Sequence, residues 1–473
     1  MPGIARRFSR LEALKVEHDL FADNAFDDIR RFIENELDAD GRLGDIKEFI
    51  EDRMGVLLDN SGGLFIYIEV IIKFIAAHGD TKLDVANEIL GSKSHAKAET
   101  ALDGLYRTVI KAAAEETNSW QTAKMISSFV LATSNTSPLD ARALHAFLPP
   151  PFNIAFKTFE EILKRMSAIF IIGADGVVVI HTSVLDFLGD ETRCGKDIFV
   201  PLDEVEGSMA TGCFEIMKHG TRNAGRQMNR SPSGLRFNIC DLETSYLPNN
   251  EVLDLDKRIT ANISAELRYS CLHWLDHLRS SLGTSQSSSD EEEAMIALTD
   301  FLESKRSLFW LEVLSLAGNL AAGRDILLGV LRQSSSPKFS QFTLIVSQLR
   351  THVEQCFNAI STSTPHLYLS LTWIATESKL WDVWQADFPK AQILKDPIRR
   401  SSRLLLSISC PPRVDTFTLS PNGKHVASGS RDGCVTIWDL VSGALVGRTQ
   451  VITPPNAFDG NKCSDNGKQR HQH

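Results

Sequence analysis

A chain of 473 residues is longer than one hydrophobic core organises, so it divides into modules. With 43% apolar and 23% charged residues it has the composition of a folding chain, which excludes wholesale disorder. Its formal net charge of -10 removes any general electrostatic pull toward nucleic acid or an anionic membrane.

The opening MPGIARRFSRLEALKVEHDL carries no apolar core of signal type, and the 8 cysteines are scattered without a C-x-x-C pair. Both features point to the reducing cytoplasm, with neither a zinc site nor a disulfide framework. Residues 1–60 read as helices. The next segment, 61–116, starts with LFIYIEVIIKFIAA from Leu64, which is too short to span a bilayer, a task needing about 20 residues. Glu69 and Lys73 stand four apart with the acid first, the favourable order on one helix face, so a buried soluble helix is expected. Leu102, Leu105, Tyr106, Val109 and Ile110 repeat at the spacing of one apolar helical stripe.

Residues 117–195 predict two helices in WQTAKMISSFVLATSNTSPLDARALHAFL, the second begun by Ser137-Pro138. A further helix then leads to strands at 169–172 and 177–180 around the turn Gly173 to Gly176. The last helix opens just after His181, where Ser183 and Asp186 have capping-box spacing. Helix, hairpin and helix in that order predict a winged-helix-like domain.

Residues 196–400 form a helical linker region interrupted by a flexible acidic loop at 280–293. His273 and His277, in HWLDH, share a helix face and could hold a metal, but two ligands are too few, and packing with Trp274 and Leu278 is the better reading. From Val414 the pattern changes to short strands. Turns fall at Pro421-Asn422-Gly423 and Asp432-Gly433, giving one antiparallel sheet within 404–450. The polar tail 451–473 is expected to be disordered.

FTLSPNGKHVASGSRDGCVTIWDLVSG resembles a WD repeat. In that family a His, a Ser or Thr, an Asp and a Trp brace each blade. Ser428, Asp432 and Trp438 match the set, while Cys410-Pro411-Pro412-Arg413 replaces the opening Gly-His. SGGLFIYIEVIIKFI, LDGLYRTVI, IHTSVLDFL, RFNICDLETSYLPN and STPHLYLSL are similar, in content and order, to fungal proteins that join a NACHT nucleotide-binding domain to WD repeats. These are signal-transducing ATPases with numerous domains, many associated with non-self recognition and cell death. The resemblance implies that residues 1–60 are a helical remnant of the nucleotide domain and that the chain is truncated at both ends.

No G-x-x-x-x-G-K-[ST] phosphate loop occurs. The nearest imitation, GNLAAGRD from Gly318, has Arg324 and Asp325 where Lys and a hydroxyl belong. The resemblance offers His181 as the counterpart of a histidine that senses a nucleotide phosphate, although Ile180 and Thr182 depart from that motif. The sequence therefore predicts a mainly α chain of helical-bundle, winged-helix-like and linker segments ending in one β blade of WD type. A lone blade has too few apolar residues to offset its ordering entropy, so it needs a body or a partner to pack on. The expected function is that of a non-catalytic protein-binding signalling or scaffold module, without cofactor, metal or catalytic residue. Its expected partners are other proteins, whether full-length relatives or a second copy, and neither nucleic acid nor membrane. Two alternatives stay open: a nucleotide-dependent switch binding ADP or ATP weakly through His181, and a gene fragment without independent function.

Overall fold

In a computed structural model of the chain the described residues are 25–38, 42–90, 98–115, 120–134, 136–152, 154–220, 234–282, 289–333, 336–371, 379–384, 414–430, 434–440 and 444–450. Residues 1–24, Asp432 and the expected disordered tail 451–473 lie outside them. The fold is mainly helical, with a two-stranded hairpin at mid-chain and a four-stranded antiparallel sheet toward the C-terminus. It divides into two units, Met1–Asn319 with Thr362–Pro365, and Leu320–Ser361 with His366–His473.

The first unit begins with α1 (Ala25–Glu36), α2 (Lys47–Asp52), α3 (Met54–Ser61), α4 (Phe65–Ala76), α5 (Lys82–Leu90) and α6 (Ala98–Glu115). The apolar run from Leu64 is α4, and it is apolar nearly all round. Tyr67, Ile68, Val70, Ile71, Ile72, Phe74 and Ile75 are buried, as expected of a helix surrounded by others. Its polar strip is the predicted pair, with Lys73 Nζ 3.3 Å from Glu69, and Arg42 joins it. Arg42 donates to Glu36 at the end of α1 (2.7 Å) and to Glu69 (2.9 Å), so one guanidinium ties two helices together. Gly62 and Gly63, at φ 51° and 84°, supply the left-handed link between α3 and α4. In α6 all five residues of the predicted stripe are buried.

Next come α7 (Trp120–Thr133), α8 (Ala141–Ala146), α9 (Phe156–Arg165), β1 (Phe170–Gly173), β2 (Gly176–Val179), α10 (Thr182–Leu188) and α11 (Glu191–Cys194). The start of α8 departs from expectation. Its cap is Asp140, whose carboxylate accepts the Ala143 N–H at 2.8 Å, and Ser137-Pro138 lies before it in an extended approach. That approach serves the hairpin, since Leu139 C=O accepts the Val177 N–H at 2.8 Å. β1 and β2 pair antiparallel from Phe170↔Val179 to Gly173↔Gly176. At Gly176, φ is +131° and a Cβ would lie 2.6 Å from that of Pro138, so only glycine fits.

The remainder of this unit is α12 (Leu202–His219), α13 (Leu255–Asn262), α14 (Ala265–Ser281), α15 (Ser289–Leu302) and α16 (Arg306–Leu316). Its centre is aromatic. Phe214, Phe301 and Trp310 surround Trp274 with ring centroids 5.4, 5.9 and 6.4 Å from it, within the range of favourable ring pairs. Trp310 is fully buried, and its indole N–H donates to Cys271 C=O at 2.8 Å. Of the expected acidic loop 280–293, Ser280 and Ser281 close α14, residues 289–293 open α15, and 283–288 lie outside the described residues.

The second unit contains α17 (Leu320–Arg332), α18 (Pro337–Ser340), α19 (Thr343–Thr362), a π turn at Leu367–Leu371 and α20 (Lys379–Trp384). Its sheet is a meander of β3 (Val414–Leu419), β4 (His425–Ser430), β5 (Cys434–Asp439) and β6 (Leu445–Gln450), neighbours in chain order. The registers Leu419↔Val426, Val426↔Trp438 and Trp438↔Leu445 put these side chains on one face. Thr418, Ala427, Ile437 and Gly447 form the other. Gly423, at φ +67°, makes the first turn with Ser420 and Asn422. No helix among the described residues is long and apolar enough to cross a membrane.

Candidate functional site

His181 stands where the hairpin gives way to α10, and its geometry is that of a helix cap. Its backbone is extended (φ -155°, ψ 149°), and Nδ1 accepts the Ser183 N–H at 3.2 Å. The Ser183 hydroxyl lies 2.8 Å from the same nitrogen and 2.8 Å from the Tyr106 hydroxyl. An Nδ1 that accepts an amide proton is unprotonated, so the ring hydrogen belongs on Nε2 and the hydroxyls point Tyr106 to Ser183 to His181. The cap is therefore the imidazole rather than Ser183 with Asp186. Burial pushes the Tyr106 phenol above its ordinary range, and the bond to Ser183 pulls it partly back.

Two arginines, Arg107 of α6 and Arg193 of α11, are engaged with protein groups. Arg193 makes a bidentate bond to Asp103 at 3.0 and 2.7 Å, and Arg107 donates to Arg193 C=O at 2.7 Å. A phosphate cradle needs several converging donors, whereas His181 offers the single N–H of Nε2. The loop imitation at Gly318 fares no better. Residues 320–332 are helix, and Arg324 is directed to Glu354 at 3.5 Å and over the Phe357 ring at 5.2 Å. Gly63 N–H donates to Ser61 Oγ at 3.2 Å, which closes the Gly-Gly link on itself.

HWLDH separates its two histidines. His273 Nδ1 lies 3.2 Å from Asp276, and that bond holds the Asp276 carboxyl below its usual range. His277 is completely buried. Its Nδ1 lies 2.5 Å from Glu206 in α12, and its Nε2 lies 2.7 Å from the Tyr269 hydroxyl, itself 2.7 Å from Thr136 Oγ1. These four groups form one continuous chain, from half-buried Thr136 just past α7, through buried Tyr269 and His277 of α14, to buried Glu206 of α12. Burial drives the Tyr269 phenol far upward. Glu206 escaped sequence reading because its partner is 71 residues away; the available signal was an acid at helical spacing with the apolar Met209, Ala210 and Cys213 of α12. Among the described residues no group of three or more His, Cys, Asp or Glu could hold a metal ion.

The C-terminal sheet is open. Phe417 is 73% exposed, Leu419 59% and Leu445 51%, although all three are apolar and on one face. Trp438 Nε1 reaches Ser428 Oγ at 3.5 Å, the long limit of a hydrogen bond, so two of the three predicted bracing residues meet. Asp432, the third, lies outside the described residues. What this site can offer is an apolar face and two strand edges, β3 and β6.

The sequence is similar to the vegetative incompatibility protein HET-E-1 of Podospora anserina, at 24% identity over 425 residues. The match covers 82% of this chain and 28% of that protein, so the chain spans little more than a quarter of the relative's length. No family model matches the sequence, and no solved structure matches it.

Proposed function

We propose that this chain is a non-catalytic, cytoplasmic, protein-binding module of signalling or scaffold type, related to the fungal NACHT and WD-repeat proteins. The observation that carries the reading is the open sheet, whose Phe417 and Leu419 present apolar surface on β3, an edge strand among the described residues. Four antiparallel strands with an S-P-N-G turn and a Trp438–Ser428 contact support a blade of WD type. The hairpin between α9 and α10 supports a winged-helix-like domain, with His181 as its structural cap. Similarity to a vegetative incompatibility protein supports the signalling side of the reading.

In this reading the partner is another chain carrying such blades, either a full-length fungal relative or a second copy, and the contact is apolar stacking on the Phe417 face. The test mixes the tagged chain with a purified full-length relative and compares it with Phe417→Asp. Capture by the unaltered chain and its loss in the variant are the expected results. Equal capture by both rejects the sheet as the binding surface, and saturable ATP hydrolysis by the pure chain rejects the non-catalytic assignment.

A further inference from the structure

RFNICDLETSYLPN, which the blade does not explain, opens an irregular segment from 236 to 254 that is pinned to the helices at both ends. Glu312, buried in α16, accepts the backbone N–H groups of Asn238 at 3.0 Å and Ile239 at 2.7 Å. The Asn238 side chain closes a turn on Leu242, accepting its N–H at 2.8 Å and donating to its C=O at 2.9 Å. Farther along, Ser363 donates to Ser245 C=O at 3.2 Å, and Asn249 exchanges two 3.0 Å bonds with Thr364. Residues 246–248 thus run between two fixed feet, Ser245 and Asn249.

What this fixed stretch displays is apolar. Tyr246 is 93% exposed and Leu253 78%, with Leu247 also open. A large ring carried in water on a tethered backbone has already met the backbone's share of the ordering cost that binding imposes, and aromatic side chains are the usual anchors of interfaces. Charge identifies the partner. Lys257 pairs with Asp254 at 2.7 Å, and Arg258 lies 3.7 Å from Glu243 and donates to Asp241 C=O at 2.8 Å, but among the described residues the carboxylates of Asp241, Glu251 and Asp256 form no ion pair.

We propose that the loop 243–254 is a docking surface for a basic protein segment, with Tyr246 and Leu253 as apolar anchors and the neighbouring carboxylates selecting lysine- and arginine-rich chains. The proposal rests on residues other than those of the C-terminal sheet, so Tyr246→Ala tests it and Phe417→Asp tests the sheet, and the two assignments fail separately. Its test is fluorescence anisotropy of a labelled leucine- and lysine-rich peptide titrated with the full chain. Saturable binding is expected, weakened about tenfold or more by Tyr246→Ala and by Leu253→Ser, and weakened further by added salt. Tyr246→Ala should melt like the unaltered chain, because its side chain is in water. The proposal is overturned if binding does not saturate, if Tyr246→Ala binds as well as the unaltered chain, or if a leucine- and glutamate-rich peptide binds equally.

Discussion

Replacing Glu312 by alanine tests how firmly the 236–254 segment is held. Glu312 is 1% exposed and its carboxylate accepts two backbone N–H groups, so its loss strips that acceptor from the buried Ile239 amide and the half-buried Asn238 amide. Bonds to charged groups contribute about 1.5–3 kcal/mol each, and release of the buried charge offsets part of the total. A net cost of about 3–4 kcal/mol lowers the melting temperature by roughly 6–8 °C for a body of this size. Hydrogen exchange mapped by mass spectrometry locates the effect: the Asn238 and Ile239 amides should exchange several hundredfold faster, since about 1.4 kcal/mol is tenfold. Glu312→Gln keeps one acceptor but turns an NH2 toward the other amide, so about half the loss is expected. Cys240 gives a second readout: burial first, and Glu312 next, push its thiol to about 12, so either variant should make it more reactive at alkaline pH. Unchanged exchange at those two amides, with a melting shift under about 1 °C, would refute the claim that this carboxylate holds the segment.

Four further outcomes are expected. His277→Phe strands Glu206 in the interior, and chemical denaturation should show a loss of about 3–5 kcal/mol, substantially relieved by adding Glu206→Leu; no relief would mean that the pair is not coupled. Gly176→Ala drives a Cβ into Pro138, and a loss of about 2–4 kcal/mol is expected by the same measurement; a neutral result would show that the turn shifts freely. Cys194 and Cys356, with thiols raised to about 11 by burial, and the fully buried Cys271 should resist iodoacetamide at pH 8 until the chain is unfolded, as peptide mapping can check. Glu36 titrates lower when folded because it accepts hydrogen bonds from Arg42, so its contribution is present above about pH 4.5 and disappears as pH falls through the lowered folded value; Arg42→Leu should flatten the acid limb of a stability–pH curve.

The parts legible in the sequence were those specified by neighbours along the chain. The stripe of α6 and the Glu69–Lys73 pair of α4 repeat at helical spacing, so local periodicity sufficed. The hairpin appeared within one residue of its predicted bounds because Gly173 and Gly176 mark its turn. The start of α8 was misplaced because two signals lay three residues apart, and the carboxylate of Asp140 won over Ser137-Pro138. Long-range pairings were silent. Glu206 and Glu312 look like surface acids until folding brings His277 and the 238–239 amides to them. Tyr246 misleads in the opposite sense, since an aromatic residue followed by leucine reads as core and stands in water.

The file of groups from Thr136 through Tyr269 and His277 to Glu206 also constrains movement. Drawing α14 away from α12 would leave the His277 imidazole and the Glu206 carboxylate dry and bare together, and drawing it from Thr136 would cost the Tyr269 phenol one partner. These helices therefore travel as one block, and whatever swivel this unit undergoes must pivot between other elements.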